Sequence, residues 1–517
     1  MRPASACALL LTAVLAGGSG PPPAPASGRA SPSCARGSGR NAGLDRILAD
    51  PRLAGATVAV EVRDAEQGVT LYARDADRRV LPASNQKLLT AAAAFEVLGP
   101  AYRFRTGVAT GPAGDLVLTG QGDPTMTPAR YDALAAAVAA AGITHVPGGL
   151  VADDSWFDRV PYGLDWSWQD EPEAFAAPVS ALTFAADPGG DTAAVAVRYA
   201  PGARPGRPPR LVTVPPAVAL VDAATTGPPG SPDTIRVTRA HGSATVTVTG
   251  AVPQRGAAGT RLVAVADPVA VSAGLFRRAL LRHGVTVAGR TRVVVPGSDR
   301  ARRRTVAAQL SAPLAVLVRP MLKRSANGPA ELLVKAMGRA GSPGTPGSWP
   351  TGLAAARTAL GALTVDMSTT TLGDGSGLSR RNWLTVHQLA NLLTAARSRP
   401  WFPDLLAALP VAGDPDPLVG GTLRSRFRGT PAAGRLRAKT GTLTGVNALS
   451  GYLTINPGET LVVAAIVNNA TTPVSDILDA LVVYLSAEKT FTRACSTSAA
   501  VTPPPGRAAT TAAASAS

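Results

Sequence analysis

The sequence contains no histidine–cysteine cluster at metal-ligand spacing and no phosphate-cradling glycine loop, so no metal and no cofactor are implied. Histidine itself is scarce. Its four copies, His145, His241, His283 and His387, stand in no nucleophile setting and read as structural or solvated. Cysteine is rarer, with only Cys7, Cys34 and Cys495. Loss of a leader carrying Cys7 would leave a pair at the two chain ends, either bridged in an oxidising compartment or free. Acidic residues are few: 34 Asp+Glu face 51 Lys+Arg, a net charge of +17. That balance favours contact with polyanions, whether nucleic acid or the anionic polymers of a cell wall. Nucleic acid is the weaker reading, because the one dense basic cluster, Arg302-Arg303-Arg304, has no interleaved aromatics and reads as a solvated loop.

Long apolar runs are missing as well. The run from Ala6 to Ala16 is too short to span a membrane permanently, so no transmembrane anchor is expected. Preceded by Arg2 and followed by Pro21-Pro22-Pro23-Ala24-Pro25-Ala26, it has the shape of a secretory signal peptide over residues 1–26. The expected location is therefore outside the cell, associated with its wall. A flexible leader over 27–40 and a flexible tail over 491–517 complete the ends, the tail being too poor in large apolar residues to build a core.

What remains is globular. A hydrophobic fraction of 45% over 517 residues supports several domains. Thr57 to Val62 alternates like a strand, Glu66-Gln67-Gly68 turns it, and Val69 to Tyr72 returns. Near the other end Arg435 to Thr442, Ala448 to Ile455 and Leu461 to Val467 read as three more strands, followed by a helix from Ile477 to Leu485. Short connections favour antiparallel pairing. The expected fold is α+β: a five-stranded antiparallel sheet flanked by helices, built from residues 41–100 and 307–490. Residues 101–306 form a large, mainly β insertion, with a nested subdomain at about 190–260. The span Pro201 to Pro232 is expected to be loops around short strands.

Three short motifs occur in order: Ser84-Asn85-Gln86-Lys87, Ser325-Ala326-Asn327 and Lys439-Thr440-Gly441. The first opens a helical run, the second precedes one, and the third lies on a strand. A serine hydroxyl needs a base to become a nucleophile. Lys87, three residues on and on the same helix face, can reach it. For that role its ordinary pKa of about 10.4 must fall toward about 7–8, through burial and a second cation, for which Lys439 is the candidate.

With these motifs the chain resembles the penicillin-recognising serine enzymes, and more narrowly the D-alanyl-D-alanine carboxypeptidase/endopeptidases of the low-molecular-mass class C penicillin-binding proteins. Gly120-Gln121-Gly122-Asp123-Pro124-Thr125, Asp153-Asp154-Ser155-Trp156-Phe157, Ala177 to Leu182, Asp374 to Arg380 and Gly421-Thr422-Leu423 add to the likeness, as does the long insertion between the first two motifs. The resemblance covers about residues 40 to 487. It implies Ser84 as nucleophile, Lys87 as base, Ser325 as proton relay and Asn327 as the group that orients Lys87 and binds a substrate amide. The backbone N–H groups of Ser84 and Thr442 would form the oxyanion hole. Lys439, Thr440, Gly441 and Thr442 would take the terminal carboxylate. Asp170 is expected to meet the free ammonium of a wall-peptide side chain, and Arg380 its carboxylate. Implied partners are peptidoglycan stem peptides ending in D-Ala-D-Ala, or cross-linked, and β-lactams as covalent inhibitors. A serine β-lactamase or esterase, and a wall-binding protein without turnover, are the other readings.

Overall fold

The computed structural model describes residues 40–187, 190–294 and 303–487. The expected signal segment, Cys34, Arg302, Cys495 and the tail from Ser496 lie outside the described residues.

The two halves of the sheet predicted from the sequence meet. Its strand order is Leu436–Leu443, Val446–Asn456, Glu459–Asn468, Thr57–Asp64, Thr70–Arg74, and each neighbouring pair is antiparallel. Successive side chains of a strand point to opposite faces. Val58, Val60 and Val62 accordingly share one core with Leu478, Leu481 and Leu485 of the last helix, Ser475–Ala487. Ala59 goes to the other face and joins Val462, Ala464 and Ile466 in the core that holds the helix Gln86–Val97. In that helix Leu88, Leu89, Ala91 to Ala94 and Phe95 are all buried. A helix apolar on every side belongs in the middle of a domain, and this one holds the first motif there. Truncating a side chain such as Leu88 to Ala would cost about 2–5 kcal/mol.

The intervening chain builds a second five-stranded sheet of mixed direction, ordered Thr291–Val293, Leu150–Asp153, Leu116–Gly120, Arg105–Thr110, Arg304–Leu310. Tyr131, Leu134 and Val138 of the helix Pro128–Ala140 pack in its core with Phe276 and Leu280 of the helix Pro268–Arg282. Two three-stranded sheets are nested within this stretch of sequence. One is ordered Gly259–Ala264, Ala194–Ala200, Arg210–Val214; the other Arg236–Arg239, Thr245–Pro253, Ala219–Gly227. Among the described residues, no helix is long and apolar enough to cross a membrane.

Two sequence expectations are corrected. Arg303 does not sit in a solvated loop: its guanidinium is largely buried and ion-paired with Asp153, and Arg304 opens a strand. A carboxylate as buried as that of Asp153 costs too much without a cation beside it. The span Pro201 to Pro232 also holds more than short strands. Ala219–Gly227 is nine residues long and pairs in parallel with Thr245–Pro253 throughout, so cross-strand partners outweigh its modest β-propensity.

Candidate active site

Ser84 lies in the tight turn Ala83–Asn85 that leads into the helix Gln86–Val97. The residue before it, Ala83, has a φ of 46°, a left-handed conformation unfavourable for a non-glycine residue. Neighbouring backbone presses against this turn. A side chain at Gly377, whose φ is 88°, would place its Cβ 1.9 Å from the Ala83 carbonyl oxygen. One at Gly441 would stand 2.8 Å from the Pro82 oxygen. These two glycines let the 374–380 loop and the K-T-G strand close around Ser84.

Lys87 follows on the first helical turn and is 0% exposed. Its Nζ donates to Ser84 Oγ at 3.0 Å, Asn327 Oδ1 at 2.6 Å and the Ser376 carbonyl at 2.8 Å. Burial pushes the amine down to about 8, against the opposing pull of Asp191, Glu331 and Asp374. Of the two expected causes, burial is the larger, and Lys439 is the neighbouring cation. The repulsion between the two amines is mutual, and Lys439 is held well below the ordinary lysine range by burial first and then by the charge of Lys87.

Lys439, on the strand Leu436–Leu443, is also 0% exposed. It donates to Ser325 Oγ at 2.8 Å and to the Thr440 carbonyl at 2.8 Å. Ser325 ends the helix Leu314–Arg324 with a φ of 60°, and Asn327 begins the helix Asn327–Gly341 two residues later. Thr440 Oγ1 donates to Thr422 Oγ1 at 2.8 Å, tying the strand to the Gly421–Leu423 turn.

Ser84, Ser325 and Asn327 of the first two motifs, with Thr442 next after the third, line one cleft of about 520 Å³. Asp170 and Arg380 line the same cleft, and Arg380 Nη2 donates to the Thr444 carbonyl at 3.3 Å. Phe175 reaches in from the insertion, and Asn327 Nδ2 donates to its carbonyl at 2.8 Å. Of the residues expected at the site, Ser84, Ser325, Asn327, Thr442, Asp170 and Arg380 line this cleft, Lys87 and Lys439 are buried behind its two serines, and Thr440 is turned to Thr422. A buried amine at hydrogen-bond distance from an alcohol, with a second amine–hydroxyl pair close by, can move protons for acyl transfer.

Three carboxylates brace this apparatus without having been given a role from the sequence, although Asp374 opens the 374–380 segment already singled out. Glu331 is fully buried and accepts from Gly375 N, Ser376 N and Trp349 Nε1 at 3.0, 2.7 and 2.8 Å. It thereby fixes the loop whose Ser376 carbonyl holds Lys87. Burial raises its carboxyl to about 7, with the charge of Asp374 adding to that. Asp374 accepts from Gly377 N, Ser379 N, Asn382 Nδ2 and Trp166 Nε1, bracing the other side of the loop. Asp191, from the insertion, accepts from Asn327 N at 2.7 Å and Gly328 N at 3.1 Å. It caps a helix whose own N-cap residue, Ala326, has no side chain for the purpose. Glu331 had a signal, an acid inside the apolar run Leu332-Leu333-Val334. Asp191 had none, since its partners lie 136 and 137 positions away.

The chain is 44% identical to a D-alanyl-D-alanine carboxypeptidase of Actinomadura sp. over 437 residues, covering 82% of this chain and 80% of that protein. A carboxypeptidase of Mycobacterium tuberculosis is 30% identical over 477 residues, with 88% and 85% covered. Among solved structures, penicillin binding protein 4 of Haemophilus influenzae superposes with a TM-score of 0.73 at 24% identity, over 86% of this chain and 98% of that one, a likeness of fold. The model of the D-Ala-D-Ala carboxypeptidase 3 (S13) family matches residues 40–488, and the chain belongs to that family.

Proposed function

We propose that this carboxypeptidase is secreted, works through an acyl-enzyme on Ser84, cleaves cross-linked as well as terminal D-alanyl bonds of peptidoglycan stem peptides, and is acylated by β-lactams at the same oxygen. The observation that carries the reading is the pair of contacts Lys87 Nζ to Ser84 Oγ and Lys439 Nζ to Ser325 Oγ at the mouth of one cleft. We divide the chain into a catalytic domain of terminal segments and an inserted region between them.

With a pKa of about 8, about a tenth of Lys87 is neutral at pH 7. The neutral amine takes the Ser84 proton as Oγ attacks the carbonyl of the penultimate D-alanine. Charge developing on the carbonyl oxygen is met by the N–H groups of Ser84 and Thr442. The C–N bond breaks, and Ser325 passes a proton to the departing amine while drawing one from the lysine pair. Water then attacks the ester, Lys87 accepts its proton, and as the C–O bond to Ser84 breaks Lys87 returns that proton to Oγ, releasing the acid and restoring both groups. Lys439, Thr440 and Thr442 hold the terminal carboxylate, Gly441 lets the strand approach, and Asn327 binds the substrate amide in place of Phe175. Asp170 and Arg380 take the two charges at the free end of the stem-peptide side chain. Glu331, engaged with three donors of the interior, is placed as an anchor for the 374–380 loop rather than as the base of a fast deacylation.

The test is D-alanine release from a pentapeptide ending in D-Ala-D-Ala, alongside cleavage of a cross-linked dimer. Loss of both activities in Ser84→Ala, with the fold intact, supports the reading. Retention of either sinks it for that substrate.

A further inference from the structure

The chain's positive charge is unevenly placed. Residues 192–304 carry 17 arginines against 4 acidic residues, whereas residues 101–191 carry 4 arginines against 12 acidic residues. The acidic part supplies the cleft residues Asp165 and Asp170. The basic part contains the two nested three-stranded sheets.

The topology gathers several of these arginines at one end of the nested sheets. Ala200 pairs with Arg210, and Arg198 pairs with both Thr260 and Val212, so Arg198 and Arg210 share one sheet face. The loop after Ala200 carries Arg204 and Arg207 and is tied down there. Gly206 N donates to the Thr226 carbonyl, and Thr226 N donates to the Arg207 carbonyl. Gln254 Nε2 donates to the Ala203 carbonyl, which brings the next turn, with Arg255, to the same end. Arg261 pairs with Val197 and so lies on the opposite face from Arg198, over the Tyr199 ring at 5.6 Å, at the same end of the sheet. All six arginines are exposed. Among the described residues, no ion pair joins any of them to a carboxylate. Asp233, the acid nearby, accepts instead from the Tyr199 hydroxyl and from Ile235 N.

Exposed guanidinium groups gathered at one end of a sheet, on both of its faces, repel, and among the described residues no ion pair offsets that repulsion. A multivalent anion does so. Guanidinium forks match phosphate oxygens bidentately. We propose that Arg198, Arg204, Arg207, Arg210, Arg255 and Arg261 form a docking surface for a phosphodiester polymer of the cell wall, separate from the catalytic cleft. An enzyme anchored this way stays beside its substrate network, while the acidic cleft-side segment keeps the polymer out of the site. The choice of a wall polymer over nucleic acid rests on the wall location in the reading above and on the burial of Tyr199, the aromatic residue under Arg261, which leaves it closed to base stacking.

The full-length mature enzyme is titrated with a synthetic glycerol-phosphate oligomer at increasing salt. Double-stranded DNA, polyglutamate and phosphatidylglycerol vesicles are the comparators. Two variants of equal charge change are used: Arg207→Gln/Arg210→Gln/Arg255→Gln, and Arg78→Gln/Arg79→Gln/Arg428→Gln as the control. The expected result is oligomer binding that weakens as salt rises, is at least tenfold weaker in the first variant, and is little changed in the control. Labelling of all forms by penicillin should be equal, so failure of docking and failure of the catalytic reading are told apart. No oligomer binding at low salt overturns the proposal. So do equal losses in both variants, or DNA, polyglutamate or vesicles bound as tightly as the oligomer.

Discussion

Lys87 Nζ stands 3.0 Å from Ser84 Oγ, with its other two contacts on the Asn327 side-chain oxygen and the Ser376 carbonyl. All three are neutral oxygen acceptors. The amine is thus held in place without a carboxylate in direct contact, which is what allows burial to hold it at about 8. A carboxylate at hydrogen-bond distance would have kept it charged.

That arrangement sets a pH dependence. The competent form of Lys87 is the neutral one, so the acylation rate constant should rise with pH through a midpoint near 8 and level off above it. Stopped-flow acylation by a chromogenic β-lactam between pH 5.5 and 9.5 measures this. A flat profile would remove Lys87 as the titrating base.

Asp191 raises the affinity of Lys87 for its proton, so neutralising it should move that midpoint to lower pH. In Asp191→Asn the amide oxygen can still accept from Asn327 N and Gly328 N. The expected outcome is a shifted acid limb with a modest change in the plateau. A reduced plateau with an unmoved midpoint would assign Asp191 to structure alone.

Glu331→Leu would strand three buried donors, Gly375 N, Ser376 N and Trp349 Nε1. Each costs about 1–3 kcal/mol, so a loss of about 3 kcal/mol or more is expected in chemical denaturation. Glu331→Gln, which retains an acceptor, should lose less. Equal stability in all three forms would contradict the anchoring role.

Gly377→Ala would force a Cβ to within 1.9 Å of the Ala83 oxygen at a φ that also disfavours alanine. Backbone strain of about 1–3 kcal/mol is expected. Because the turn it displaces carries Ser84, β-lactam acylation should slow by more than tenfold. Gly361→Ala, where a Cβ meets nothing within 4 Å inside the helix Trp349–Ala362, is the control and should leave acylation unchanged while raising stability by about 0.5–1 kcal/mol.

The sequence was informative where chemistry and local structure coincide. Alternation in Thr57 to Val62 and the short, unbroken apolar stretch Leu461 to Val467 marked both strands, and both are buried on their two faces. Ser84 and Lys87 were legible because three residues along a helix bring side chains together. The helices Trp349–Ala362 and Phe402–Ala408 were not anticipated. Neither was the capping by Asp191, because a carboxylate that acts across more than a hundred positions leaves no periodic trace. Arg303 was misjudged for the same reason: its partner, Asp153, lies 150 positions away.

Intact-mass analysis with peptide mapping after brief exposure to penicillin bears most directly on the proposed chemistry, using wild type, Ser84→Ala and Lys87→Ala. The expected result is one adduct per chain, on the peptide containing Ser84. It should be absent from Ser84→Ala and form at least about a thousandfold more slowly in Lys87→Ala. An adduct on another residue, or a Lys87→Ala protein acylated at the wild-type rate, would contradict it.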